Sequence, residues 1–288
     1  MVTTWVRILV MTKAVCWLIL LCVSLPAQDW RQSLTFYATF DQGLEANFAL
    51  GDKHIYTAPD YKAQMEAKRG LDTSDVTVVA GGVTGSALRF GKKNLKAIFY
   101  QGDKNVSFRD GGWTGSISFW LNLDPDQDLE PGFCDPIQVT DKAYNDSAIW
   151  VDFTKDDKPR HFRLGVFGDL NVWNPTNLPS DKNPAFSSRL ITVATPPFRR
   201  GTWTHVVITH TGLGSGKGMA KLYLDGKLQG TTERILEPFR WDTRRAAIRL
   251  GVNYVGLWDE LAIFNIALSD REVAELFRLK GGLASPRR

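Results

Sequence analysis

The sequence predicts an all-β protein, built as a sandwich, with one short C-terminal helix, and three observations predict it. From Leu34 onward, short runs rich in β-branched and aromatic residues recur between Gly, Pro, Asn and Asp, the spacing of a sandwich or barrel. Within 115–123, Ile117, Phe119, Leu121 and Leu123 fall on one face of an extended chain, and Ser118, Trp120 and Asn122 on the other. Asp225-Gly226 between two apolar runs is a hairpin signal, because both central positions of a two-residue turn take positive φ.

In chain order, Arg7 and Lys13 precede an uncharged apolar run beginning at Ala14, the layout of a signal peptide over residues 1–27. A membrane anchor is the competing reading, but the run falls short of the roughly 20 apolar residues a spanning helix needs. Strands follow at 35–40, 86–90, 96–101, 116–123, 148–153, 161–167, 190–194, 202–209, 220–224, 247–252 and 257–264. Residues 60–69 are polar enough to read as a surface insertion. Ser269-Asp-Arg-Glu272 is a capping box; Val273, Leu276, Phe277 and Leu279 continue it at helical spacing, and Gly281-Gly282 stops it. With no internal repeat or linker, residues 28–288 read as one domain with a long, Pro-rich middle insertion at about 124–200.

Composition narrows the partners. Loss of Arg7 and Lys13 with the signal takes the formal net charge from +4 to +2, so nothing asks for nucleic acid. Cys16 and Cys22 leave as well, and Cys134 alone forms no intramolecular disulfide. Export without disulfides points to a secreted, periplasmic or cell-envelope protein of a bacterium, with no transmembrane span in its mature form.

Three segments together resemble the laminin-G-like, concanavalin A-like lectin/glucanase jelly rolls of bacterial secreted proteins. They are Gly115-Ser-Ile-Ser-Phe-Trp-Leu; Trp203-Thr-His205-Val-Val-Ile-Thr with Ala220-Lys-Leu-Tyr-Leu-Asp225-Gly226-Lys; and Gly256-Leu-Trp-Asp259-Glu260-Leu-Ala-Ile-Phe-Asn265 before Ala267-Leu268-Ser269. Phe40-Asp41 and Gly85-Ser-Ala-Leu-Arg-Phe90 also fit, and 124–200 fits least. The resemblance implies two facing antiparallel sheets in a jelly-roll sandwich, often with a glycan-binding or adhesive role and sometimes a structural calcium ion. Fold alone does not decide among binders, enzymes and spacers.

The Glu-x-Asp-x-x-Glu strand of laminarinase-type relatives is missing, and Asp259 and Glu260, being adjacent, should point to opposite faces of a strand. Glu233 and Glu237 read as solvated loop residues. His205 and His210, five apart, fall on opposite faces and make no zinc pair. Two calcium sites are candidates. Asp124, Asp126 and Asp128 alternate just after a strand, as a hard cation or a merely solvated acidic loop would have them. Asp41 and Asp259 match the site that the resemblance implies, although Asp259 could equally accept backbone N–H groups at a bend.

Parity builds the most suggestive surface. Trp150 and Asp152 oppose the apolar Ile149, Val151 and Phe153, while His161 and Arg163 oppose Phe162, Leu164 and Val166. With Trp120, Asn122 and Gln138 they could line the outer face of one sheet, with Trp173 closing one end. Aromatic faces beside hydrogen-bonding groups suit sugars. The competing reading has these tryptophans filling space beneath the middle loops. The expected function is a non-catalytic exported module binding a glycan or other cell-surface component. A polysaccharide hydrolase or lyase using the middle segment, or a purely structural envelope protein, stands as the alternative.

Overall fold

The computed structural model describes residues 29–280 and 282–283, so the predicted signal peptide lies outside the described residues. Among the described residues, seventeen strands run in chain order. The first seven are β1 (Leu34–Ala38), β2 (Phe48–Ala49), β3 (Ile55–Ala58), β4 (Lys68–Arg69), β5 (Val76–Ala80), β6 (Ser86–Phe90) and β7 (Ala97–Gln101). Then come β8 (Trp113–Asn122), β9 (Cys134–Thr140), β10 (Ala148–Phe153), β11 (Phe162–Phe167) and β12 (Leu190–Val193). The last are β13 (Thr204–Leu213), β14 (Met219–Leu224), β15 (Lys227–Thr231), β16 (Ala247–Val252) and β17 (Gly256–Phe264).

They form two antiparallel sheets. One has nine strands, ordered β15-β14-β13-β8-β17-β1-β2, with the β5-β6 hairpin joined to β17; the other has eight, ordered β12-β11-β10-β9-β16-β7-β3-β4. The alternation read in β8 holds: Ile117, Phe119 and Leu121 enter the core with Val206 and Ile208 of β13. From the second sheet Ile137, Val139, Ile149, Val151, Leu164, Val166, Ile248 and Leu250 meet them. Phe119 and Trp258 stack across two neighbouring strands with ring centroids 5.2 Å apart.

The outer face of the nine-stranded sheet is covered. The C-terminal helix Asp270–Leu279 starts with the predicted capping box, Ser269 and Glu272 exchanging hydrogen bonds, and ends on Lys280 in the left-handed conformation. Val273 and Leu276 pack on Leu34, Tyr37, Val207, Tyr223 and Phe264. Phe277 lies 5.7 Å from Trp120, which in turn stacks on His205 at 4.5 Å. Among the described residues no helix is long and apolar enough to cross a membrane.

Residues 124–200 supply β9, β10, β11 and β12, half of the eight-stranded sheet; the last three were expected and β9 was not. Pro136 conceals β9 in the sequence, since proline disfavours a central strand except at a bulge. A bulge is what forms there: Ile137 pairs with Val151 and Cys134 with Phe153, leaving Asp135 and Pro136 opposite Asp152. The polar stretch 60–69 likewise contributes the edge strand β4 and a buried Gln64.

Candidate functional site

The outer face of β9, β10 and β11 carries a cleft of about 680 Å³. Its floor begins with Trp150, whose cross-strand partner on β11 is Gly165. A Cβ at Gly165 would stand 2.2 Å from Trp150 Cζ2, so only glycine lets the indole lie over β11. The Trp150 indole N–H donates to the Tyr144 carbonyl at 2.6 Å. Phe167 and Phe186 stack beside it, and with Ala148 and Trp173 they make a small hydrophobic cluster of their own.

Next to the indole, Asp152 and Arg163 are register partners and form a two-pronged ion pair, with Arg163 Nε donating to Asp152 Oδ1 at 2.8 Å and Nη2 to Oδ2. The β9 bulge sets Asp135 beside this pair. Burial, then the Asp152 charge, holds the Asp135 carboxyl well above the usual carboxylate range. Burial raises Asp152 too, but there the Arg163 bonds oppose it. Two carboxylates beside one guanidinium cannot both stay ionised cheaply, and the bonds from Arg163 favour the charged form of Asp152. Gln138 donates its amide to Asp135 and accepts from Arg249 at 3.4 Å. Arg249 is buried, with Gln64 and the Tyr61 ring as its other partners. Polar side chains thus line the floor from β11 to β16 in two bonded groups, Arg163–Asp152 and Asp135–Gln138–Arg249.

Two exposed aromatics rise from it. Phe133 is 43% exposed and lies under two cations, Arg163 at 5.1 Å and Lys155 at 5.7 Å from the ring centre. Tyr144 is 40% exposed, with its hydroxyl 2.8 Å from Ser180 Oγ. Pro179, Ser180, Asp181, Phe186 and Ser187 complete the rim. The sequence reading missed Phe133, Tyr144, Asp135 and Lys155. The signal for the first two was there: each is an aromatic in a Gly-, Pro- or Asn-rich turn, where no core is available to receive it.

Of the predicted ligand residues, Gln138, Trp150, Asp152 and Arg163 meet in the cleft. Trp120 and Asn122 do not; they belong to β8 of the opposite sheet, where the helix buries Trp120 and Asn122 accepts from the Gly201 N–H at 2.8 Å. His161 lies outside the cleft lining, its ring 3.6 Å from Asp157. Trp173 does not close the cleft but packs beneath Arg189, its indole donating to the Asn145 carbonyl. Trp120, Trp150 and Trp173 are 5%, 1% and 7% exposed; Trp150 and Trp173 pack with Phe186 of the middle segment, whereas Trp120 lies under the C-terminal helix.

The candidate metal residues separate into two outcomes. Asp124, Asp126 and Asp128 have separate partners: Asp124 caps the helical turn Pro125–Asp128, Asp126 accepts from the Arg160 N–H, and Asp128 pairs with Arg200. Asp41 and Asp259 do approach one loop, residues 82–86. Ser86 N–H donates to Asp41 at 2.7 Å, while the Val83 and Glu260 N–H groups donate to Asp259 at 2.7 and 2.8 Å. Glu260 joins them against the parity expectation. It sits at a bulge with φ +56°, and its carboxylate accepts from Thr84 and from the Tyr37 hydroxyl. Burial, then mutual repulsion, pushes Asp259 up to about 8, and burial takes Glu260 to about 7.

Among the described residues no three His, Cys, Asp or Glu side chains are grouped to hold a metal. The carbonyls of Thr84 and Ser86 and the Asp259 Oδ2 all lie close to Gly82, each within 2.4–2.5 Å of where a Cβ on that residue would stand. Convergent oxygens of this kind fit a hard cation.

Solved structures of similar fold include domain 4 of AbnA, an extracellular arabinanase from Geobacillus stearothermophilus, in complex with arabinotriose. It is 18% identical, with a TM-score of 0.52 over 84% of this chain and 97% of that one. The binding domain of botulinum neurotoxin DC in complex with SialylT is 12% identical, with a TM-score of 0.56 over 88% and 52%. Trypanosoma rangeli sialidase is 12% identical, with a TM-score of 0.52 over 88% and 34%. The chain thus spans about half of the toxin domain and a third of the sialidase, and at these identities the likeness is one of fold. No curated protein matches the sequence. The model of the concanavalin A-like lectin/glucanases superfamily matches residues 100–274, which include strands of both sheets and the residues that line the cleft, and the chain belongs to that superfamily.

Proposed function

We propose that this domain is an exported, non-catalytic carbohydrate-binding module whose site is the cleft on the outer face of β9–β11. The observation that carries the reading is the pair of exposed aromatics, Phe133 and Tyr144, above a floor of Asp135, Gln138, Asp152 and Arg163. Sugar ring faces stack on such aromatics, while hydroxyls exchange hydrogen bonds with the acid, amide and guanidinium. Asp152, whose two oxygens are both committed to Arg163, and His161, which lies off the cleft, support binding over hydrolysis. The arabinotriose and SialylT complexes of similarly folded domains support a sugar ligand here. Residues 1–27 would direct the chain to a bacterial envelope or the medium. Asp41, Asp259 and the carbonyls of Thr84 and Ser86 would hold a structural calcium ion that ties β17 to the 82–86 loop.

Affinity electrophoresis in gels containing arabinan, xylan, laminarin or polygalacturonate tests it. At least one polysaccharide should retard the protein, and Phe133→Ala and Tyr144→Ala should each relieve the retardation. No retardation by a broad glycan panel would sink the reading. Burial of Trp120, Trp150 and Trp173 favours a second one, a structural envelope module, which such a negative result would leave standing.

A further inference from the structure

The two exposed aromatics of the cleft stand at electrically different ends. Over Phe133 lie two cations, the Arg163 guanidinium at 5.1 Å and the Lys155 ammonium at 5.7 Å from the ring centre. Beside Tyr144 the rim carries no such charge: Ser180 Oγ meets the tyrosine hydroxyl at 2.8 Å, and Asp181 is the next residue along it. Trp150 lies between the ends, its ring centre 6.0 Å from the Arg163 guanidinium and 6.3 Å from that of Tyr144.

Neither cation is used up by the fold. Arg163 commits Nε and Nη2 to Asp152, while Nη1 has no hydrogen-bond partner among the described residues. Nη1 is not sealed from solvent, and Arg163 lines the cleft, so its N–H groups open there. Lys155 is half exposed, with the still more exposed Asp156 at 3.3 Å. A solvated pair of that kind holds its ammonium only weakly.

The acids nearby do little to cancel these charges. Asp152 balances one of them, and Asp157 turns to His161 at 3.6 Å. Burial first, then the Asp152 charge, favours the neutral form of Asp135. Glu237, expected as a solvated loop residue, is instead 6% exposed and tied to Arg189 at 2.8 Å, outside the cleft lining. Behind Gln138 the buried Arg249 adds a further positive charge. An anion at the Phe133 end therefore meets an excess of positive charge where water is partly excluded, the setting in which charge-assisted hydrogen bonds are strong.

We propose that the Phe133 end of the cleft is a carboxylate subsite, so that the module takes an acidic polysaccharide: a uronic acid residue rests against Phe133 and sets its carboxylate on Arg163 Nη1 and Lys155 Nζ. The proposal rests on the carbohydrate-binding reading of the cleft. It also gives the bound chain a direction, with the acidic residue at Phe133 and its neighbours running toward Tyr144.

Calorimetric titration with hexasaccharides of polygalacturonate, alginate, arabinan, xylan and laminarin tests this, the two acidic sugars being supplied also with their carboxyls reduced to alcohols. An acidic hexasaccharide should bind most tightly, and its reduction should weaken binding by at least about tenfold, the worth of one charge-assisted hydrogen bond. Lys155→Gln should weaken the acidic sugar severalfold and flatten its loss of affinity with added salt, while Lys155→Arg should retain both. Phe133→Ala should weaken acidic and reduced sugars alike. A neutral hexasaccharide that binds as tightly as the acidic ones, or an acidic sugar indifferent to Lys155→Gln, overturns the carboxylate subsite alone, provided Phe133→Ala still impairs binding. No binding of any hexasaccharide, or no effect of Phe133→Ala, overturns the cleft reading and the subsite with it.

Discussion

Trp150 rests on Gly165: the two are register partners on β10 and β11, and a Cβ on the glycine would come within 2.2 Å of the indole. Gly165→Val should therefore displace the indole and cost about 1–3 kcal/mol of stability, as overpacking does. Urea unfolding followed by tryptophan emission measures both effects. Wild-type stability with an unshifted spectrum would mean that the indole has another place to lie.

Arg163 holds Asp152 in the cleft floor with both prongs of its guanidinium. Arg163→Met should cost about 3–5 kcal/mol, because it strands a buried carboxylate. The double variant Arg163→Met, Asp152→Asn should recover much of that loss. Additive losses in a double-mutant cycle would refute the coupling.

His205 and His210 are buried, and burial pushes both imidazoles down to about 3. The unfolded chain titrates near 6.5, so each contributes stability that is present above that pH and lost as pH falls from about 6.5 toward 3, about 2 kcal/mol per histidine by pH 5. Asp259 and Glu260 act in the opposite sense, since the folded protein holds their protons where the unfolded chain has released them. The check is consequently a difference. The stability gap between wild type and His210→Gln should shift by about 2 kcal/mol, to the disadvantage of wild type, between pH 7 and pH 5. Parallel pH profiles would contradict it.

Calcium, if it binds at Asp41, Asp259 and the 82–86 carbonyls, stabilises only the folded state. Calcium at about 100 times its Kd should add about 2.7 kcal/mol, a rise in Tm that EDTA reverses and Asp259→Asn removes. A melting curve indifferent to calcium and EDTA would exclude the site.

Much of this architecture was legible in the sequence because period-two alternation records which side of a strand is apolar. β6, β10 and β16 have the expected bounds, and the faces of β8 came out as read. Alternation fails where a bulge adds a residue: at Asp135-Pro136, which hid β9, and at Glu260, which swung onto the same loop as Asp259. It also says nothing of what covers an outward face. Trp120 and Trp150 both point away from the core, yet one lies under a helix and the other under a cap. Those coverings are contacts between residues far apart in the chain, and no local pattern encodes them. Loop aromatics such as Phe133 carried the site's accessible surface, and strand parity had no bearing on them.

The cap over the cleft has its own apolar anchor, Trp173 and Phe186 against Trp150 and Phe167, separate from the cluster that joins the two sheets. Recognition and durability are therefore separable inheritances in this chain. Lineages could rewrite the turns at 170–189 while keeping those anchor positions, and so diverge in taste without ever putting the sandwich at risk.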